Sequence, residues 1–179
     1  EQHPVEPQDF ENFSDWGMTL LKDFNEIDLY LADPEKIFHE ISETRALSVW
    51  NLDGRPLTPF QSDYIRFYRS FLGLYLGLKE RLLVKNLVYK GLAHRIVAEQ
   101  LQQSNISLPW EKIFIAGLNA LSTSEGIIIK NLSETEKAEI FWDADRYYLE
   151  DPLHEAGEFI RDHIRRFHRE PVKWIGNHF

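Results

Sequence analysis

The chain has 179 residues, of which 43% are hydrophobic and 13% aromatic, enough for one domain, or one domain and a subdomain, with a real core. Its 20 Lys and Arg against 29 Asp and Glu give a net charge of −9, so the whole chain is expected to bind DNA poorly, although a local basic face remains open. It has no cysteine and no run of about 18 apolar residues, which excludes disulfides, thiolate zinc sites and a membrane-spanning segment and fits a cytoplasmic location.

The amino-terminal part predicts a linker and two helices. Residues 1–8 contain two prolines and little apolar content, which is typical of a linker. Between Phe10 and Ile27 the apolar residues recur every three or four positions, the spacing of a helix. A second helix is predicted from Pro34 to Leu47, because Asp33 suits the N-cap and Pro34 the first helical position.

Two further helices are predicted before residue 109. Residues 51–59 are turn-rich and predict a loop, and one long helix follows from about Pro59 to Lys85. Within it Gly73 and Gly77 lie four residues apart, which permits either close helix packing or a kink. Another helix runs from about Tyr89 to Ser104, so residues 9–108 are predicted to form a helical subdomain.

After Pro109 the pattern changes to strand, helix and strand. Short apolar runs predict strands at 112–117 and 138–142, and Ser122-Thr-Ser-Glu125 predicts a capping box that opens the helix between them. A final helix is predicted from about Pro152 to Phe167. Strands joined through a helix are normally parallel. The expected fold is therefore a helix-rich α/β protein with five or six helices and a parallel sheet of two or three strands.

Two acids after the second strand are candidate metal ligands. Asp143 and Asp145 follow a predicted strand end, where α/β proteins place ligands, and their oxygens suit a divalent cation. His154 is the third candidate ligand. The alternative is a solvated turn in which an Asp caps the chain, and this is favoured because Asp-x-Asp is common in turns.

A basic patch on the final helix is the candidate DNA contact. Three of its arginines lie four residues apart and can share a face, and a tryptophan beyond them is able to stack on a base. The patch consists of Arg161, Arg165, Arg166, Arg169, Lys173 and Trp174. The alternative, which is favoured, is a solvated helix whose arginines pair with neighbouring acids or complement the helix dipole.

Motifs for independent catalysis are missing from the sequence. It contains no Gly-x-Ser-x-Gly elbow, no Gly-x-x-x-x-Gly-Lys-Ser/Thr phosphate loop and no Gly-x-Gly-x-x-Gly. Neither a serine hydrolase nor a self-sufficient ATPase nor a dinucleotide enzyme is therefore expected, and no cofactor is predicted.

Four segments carry a resemblance to a known family. They are Phe13–Asp28 (FSDWGMTLLKDFNEID), Leu87–Arg95 (LVYKGLAHR), Ile113–Glu125 (IFIAGLNALSTSE) and Ala138–Tyr148 (AEIFWDADRYY). The last two resemble the region around the Walker B strand of superfamily 1, UvrD-like helicases. More closely, the chain from about residue 9 to 179 resembles the B subunits of AddAB-type (RexAB-type) helicase–nucleases, a PD-(D/E)XK nuclease family, in the form found in Bacteroidetes.

The resemblance implies a catalytically silent piece of a larger protein. An active motor of this class carries an Asp-Glu pair at the end of the first strand, and Ala116 and Gly117 stand at those positions here. Residues 9–108 would correspond to a helicase 1B-like insertion, and residues 109–179 to part of a P-loop-NTPase-like core with a degenerate Walker B region. Both chain ends are expected to be cuts within a longer parent.

The resemblance also implies a role in DNA double-strand-break repair and recombination. Its partners would be the rest of the parent chain, a helicase A-type subunit, and DNA through the parent complex, while the fragment itself would not be an enzyme. Two alternatives from other classes stay open. One is a partner-docking interaction module, favoured by apolar residues on several faces of the 59–85 helix, and the other is a small metal-dependent hydrolase using Asp143 and Asp145.

Overall fold

A computed structural model describes residues 10–48, 56–103 and 107–167. The described residues form eight α-helices, one short 3-10 helix and a parallel two-stranded sheet, which confirms the predicted helix-rich class with a small parallel sheet. The chain divides into two compact units, Glu1–Arg95 and Ile96–Phe179, whereas the sequence suggested a boundary at residues 108–109. No helix in the described ranges is both long and apolar enough to cross a membrane.

The regular secondary structure in the described part of the first unit is entirely helical. They are α1 Phe10–Leu29, α2 Pro34–Ser48, α3 Pro59–Arg69, α4 Phe71–Val84 and the start of α5, which spans Lys90–Gln102 and continues into the second unit. The predicted start of α2 is confirmed, since Asp33 Oδ1 accepts the backbone N–H groups of Glu35 at 3.0 Å and Lys36 at 3.3 Å. Such a cap contributes about 1 kcal/mol.

The core of the first unit is aromatic. The periodic apolar face of α1 buries Leu20, Phe24 and Ile27 against Phe38 of α2 and Tyr75 of α4. The Phe24 ring meets the Phe38 ring edge to face at 5.8 Å and the Tyr75 ring at 5.3 Å. Burial stabilises the fold by about 1.5–3 kcal/mol for each such side chain, so this cluster joins the three helices.

The single helix predicted over 59–85 is wrong, because the chain breaks at Ser70. The Ser70 hydroxyl donates to the carbonyl of Phe67 at 2.6 Å, and the Ser70 backbone N–H is shared between the carbonyls of Arg66 and Phe67. A serine that bonds back to the preceding turn competes with the regular helical bonds and bends the chain. Helix α3 therefore ends at Arg69 and α4 begins at Phe71.

The second unit contains the sheet. Its elements after α5 are β1 Ile113–Ala116, α6 Thr123–Glu134, β2 Ala138–Phe141, α7 Arg146–Glu150, the 3-10 helix Glu155–Gly157 and α8 Glu158–Phe167. Strands β1 and β2 are parallel, as predicted, with Ile113 opposite Ala138 and Ala116 opposite Phe141. The predicted capping box is confirmed, since Ser122 Oγ accepts the N–H of Glu125 while the Glu125 carboxylate accepts the N–H of Ser122.

The final helix starts later than predicted, and another helix precedes it. The Asp145 carboxylate accepts the N–H of Tyr147 at 2.8 Å and opens α7. Pro152 then forces Asp151 into an extended conformation, and α8 begins only at Glu158. Together with the break at Ser70, this gives eight α-helices in the described ranges, more than the five or six predicted.

Candidate functional site

The carboxyl ends of β1 and β2 form the candidate functional site, because α/β proteins bind ligands at that edge of a parallel sheet. Strand β1 ends at Ala116, and Gly117 follows it with a φ of 72°. That left-handed conformation favours glycine and turns the chain away from the strand. Neither residue offers an oxygen ligand from its side chain, so this strand end cannot hold a magnesium ion as an Asp-Glu pair does.

The serines that follow β1 are used for capping. Ser122 Oγ donates to Glu125 Oε2 at 2.8 Å and lies 3.2 Å from Ser124 Oγ, and both serines are buried. The Ser122 hydroxyl accepts the N–H of Glu125 in the first turn of α6, where backbone N–H groups lack helical partners. We therefore assign Ser122 and Ser124 a structural role rather than a nucleophilic one.

A buried histidine holds the loop between β1 and α6. His163 of α8 is 6% exposed, and its Nε2 lies 2.7 Å from the carbonyl oxygen of Asn119. Because a carbonyl only accepts, Nε2 carries the proton. The ring also stacks on Phe167 with a centroid distance of 5.6 Å. His163 thus positions the loop at the candidate site from a helix 44 residues further along the chain.

The three candidate metal ligands have different environments. Asp145 caps α7, and His154 Nδ1 accepts the N–H of Ala156 at 3.2 Å, so both side chains serve local caps. Asp143 is exposed after β2. Within the residues that the structure describes, no group of three His, Cys, Asp or Glu side chains is arranged to hold a metal ion.

The first arginine of the predicted basic patch forms hydrogen bonds with backbone carbonyl groups. Arg161 donates to four carbonyl oxygens, those of Tyr148 at 2.6 Å, Asp151 at 2.9 Å, Pro152 at 3.3 Å and His154 at 2.8 Å. The planar fork of the guanidinium is suited to several acceptors at once. Arg161 therefore fastens the segment between α7 and α8 and has few donors left for a phosphate.

The rest of the patch is only partly within the described residues. Arg165 pairs with Asp162 at 3.1 Å on an exposed face, as the solvated-helix alternative predicts. The Arg166 guanidinium lies 5.3 Å from the centre of the Phe167 ring and covers Gly126, where an added Cβ would stand 2.8 Å from Arg166 Nη1. Arg169, Lys173 and Trp174 lie outside the described residues.

A buried ionic cluster lies in the first unit and was not predicted from the sequence. The Asp28 side chain is 0% exposed, and its Oδ1 accepts from Tyr75 Oη at 2.7 Å and from Arg95 Nε at 2.5 Å. The hydroxyl of Tyr89 donates to Oδ2. Three donors and one opposite charge thus compensate the desolvation of this carboxylate.

The same cluster anchors the chain around α1. Arg95 Nη2 also donates to the carbonyl oxygens of Ile27 at 3.0 Å and Ala32 at 2.6 Å. Burial raises the pKa of Tyr89 above its ordinary value, and the hydrogen bond and negative charge of Asp28 raise that pKa further. The Arg95 charge opposes this shift. The cluster is a satisfied structural lock and presents no free reactive group.

The sequence contained only weak signals for the buried Asp28 cluster and for the buried His163. Asp28 directly follows Ile27 on the buried face of α1, where a charged residue needs a partner. His163 and Phe167 are spaced by one helical turn, opposite the exposed Arg165. Neither pattern identifies the partner, which lies far along the chain in both cases.

Comparisons with protein-family models, with curated proteins and with solved structures found no match to this chain.

Proposed function

We propose that this chain is a non-catalytic, helicase-like scaffold segment of an ATP-dependent helicase–nuclease subunit that acts in DNA double-strand-break repair and recombination. The observation that carries the proposal is the end of β1. There Ala116 and Gly117 occupy the carboxyl edge of a parallel strand–helix–strand unit, where a motor of the resembled family has its acidic pair.

The backbone at this position supports the same conclusion. Gly117 has a φ of 72°. A glutamate in that left-handed conformation would cost about 1–2 kcal/mol. The main chain at position 117 therefore also disfavours the glutamate that an active motor of the resembled family would carry.

The sheet supports the proposal that these residues are part of a larger core. Parallel sheets are normally covered on both faces. Here the outer face of the two strands exposes Phe114 by 65% and Phe141 by 42%, with their ring centres 5.9 Å apart. Glu139 lies on the same face and pairs with Lys112. The two exposed rings are expected to pack against further parts of the parent chain, as those of a partial P-loop-like core would.

The proposal includes partners and a location. The parent chain would cover the outer sheet face, a helicase A-type subunit would assemble with the parent, and DNA would be contacted through that complex in the cytoplasm. Asp145 and His154 would serve only as helix caps, and Asp143 would be a solvent-exposed residue of the turn after β2.

The purified chain tests the absence of motor and nuclease chemistry. We expect neither magnesium-dependent ATP hydrolysis nor cleavage of labelled DNA above the level of a buffer control. ATP turnover or cleavage that requires a divalent metal, disappears in Asp143→Ala and persists in Asp63→Ala would contradict the proposal. Asp63 is an exposed carboxylate on α3 and provides the matched control. That outcome would favour the metal-dependent hydrolase instead.

A further inference from the structure

An apolar groove lies between α1 and α4 in the first unit. Its volume is about 310 Å³, and side chains of both helices line it, among them Phe13, Leu20, Leu74 and Leu78. Phe13, one of these lining residues, is 41% exposed. The groove therefore offers a largely hydrophobic surface to solvent, as grooves that bind helices do.

Two glycines of α4 keep this groove open. A Cβ added at Gly73 or at Gly77 would meet no atom within 4 Å, and neither glycine has a positive φ. Gly91 is different, because its Cβ would stand 2.2 Å from the carbonyl oxygen of Asn25. A glycine inside a helix costs about 1 kcal/mol relative to alanine. Within the described part of the chain, neither close packing nor backbone conformation requires glycine at positions 73 and 77.

A positive charge stands at the same groove. Arg81 lines it one helical turn after Gly77, and no carboxylate in the described ranges pairs with its guanidinium. Most other lining groups are apolar, so Arg81 is the feature that gives the groove a charge preference. A carboxylate is its natural complement, and such a pair adds specificity more than affinity.

We propose that this groove binds an amphipathic α-helix of a partner, with small and leucine side chains facing the glycines and an Asp or Glu facing Arg81. Glycines four residues apart let a second helix backbone approach closely, since side chains at the contact set the distance between helix axes. From Gly73 to Arg81 the helix rises about 12 Å, which matches about two turns of the bound helix. The proposal stands independently of the scaffold role, because it uses only α1 and α4.

A pair of constrained helical peptides tests the proposal on the full chain. Each has about 15 residues with Ala and Leu on one face, and the two differ only in a Glu or a Lys at the position facing Arg81. Fluorescence anisotropy should show the Glu peptide binding about fivefold more tightly than the Lys peptide. In Arg81→Glu this preference should reverse.

Gly77→Leu provides the second arm, since it fills the groove where nothing within 4 Å opposes a new side chain. We expect it to keep the circular dichroism spectrum of the parent chain, to unfold at a midpoint no lower than that of the parent chain, and to bind neither peptide. Equal binding of both peptides, binding retained in Gly77→Leu, or no binding by the wild-type chain would each overturn the proposal. A wild-type dimer in sedimentation that Gly77→Leu dissociates would also overturn it and assign the groove to a second copy.

Discussion

Asp28 is a buried anion in the first unit, and its charge is removed from water. An ion in such a place is tolerated only when hydrogen bonds and an opposite charge replace its hydration. Arg95, Tyr75 and Tyr89 provide that replacement. Removing one partner leaves the others buried without compensation, so the cost of a substitution exceeds the value of the pair itself.

Asp28→Asn is expected to destabilise the chain by about 3–5 kcal/mol, because it leaves the Arg95 charge buried without its anion. Urea unfolding followed by circular dichroism measures this loss. Asp63→Asn is the matched control, since the Asp63–Arg66 pair is exposed and such pairs contribute about 0–1 kcal/mol. Equal effects of the two substitutions would show that the buried cluster is not a structural lock.

The raised pKa of Tyr89 predicts a stability that falls in alkaline solution. In the unfolded chain a tyrosine loses its proton near its ordinary pKa of about 10, whereas in the folded chain burial and Asp28 keep Tyr89 protonated above that pH. The unfolded state therefore binds fewer protons above pH 10, and the free energy of unfolding decreases as pH rises. Below about pH 10 this contribution is fully present.

Urea unfolding at pH 8 and at a series of higher pH values checks this dependence. Tyr89→Phe should flatten the decrease above pH 10, because phenylalanine has no proton to lose. Tyr30→Phe, at a position 57% exposed, should leave the profile of the parent chain unchanged. A Tyr89→Phe profile as steep as that of the parent chain would argue against the buried phenol.

At the scale of elements, three helical glycines distinguish the effect of helix propensity on stability from the effect of packing. Gly73→Ala and Gly77→Ala should each stabilise the chain by about 0.5–1 kcal/mol, since alanine favours the helix and nothing opposes the new methyl group. Gly91→Ala should destabilise it, because the methyl group would collide with the backbone of Asn25. Thermal unfolding of the three variants measures the contrast, and three shifts of the same sign would contradict it.

The break between α3 and α4 is a second feature of the elements that the sequence pattern did not predict. The hydrophobic pattern continues through Ser70, which is why one long helix was expected. The helix breaks where the Ser70 hydroxyl bonds back to the Phe67 carbonyl, and a periodicity argument does not contain that bond. By contrast, the capping box at Ser122 is local in sequence, and it was predicted from Ser122-Thr-Ser-Glu125.

At the scale of the whole molecule, charge opposes binding to nucleic acid. The net charge is −9, Arg161 donates to four backbone carbonyls, and Arg165 already has Asp162 as a partner. We therefore expect no saturable binding of labelled single-stranded DNA at moderate salt, measured by fluorescence anisotropy. Binding that weakens as salt rises and is lost in Arg165→Ala with Arg169→Ala would establish the basic patch as a DNA contact.

The sequence by itself determined the helix-rich class, the parallel strand pair and the start signals of α2 and α6, because these follow from periodicity and capping within a few residues. Only the tertiary structure decided which polar groups meet. Asp28 and Arg95 are separated by 67 positions, and His163 and Asn119 by 44. Such pairs form because burial makes an unsatisfied polar group costly, and no local pattern specifies which distant residue will satisfy it.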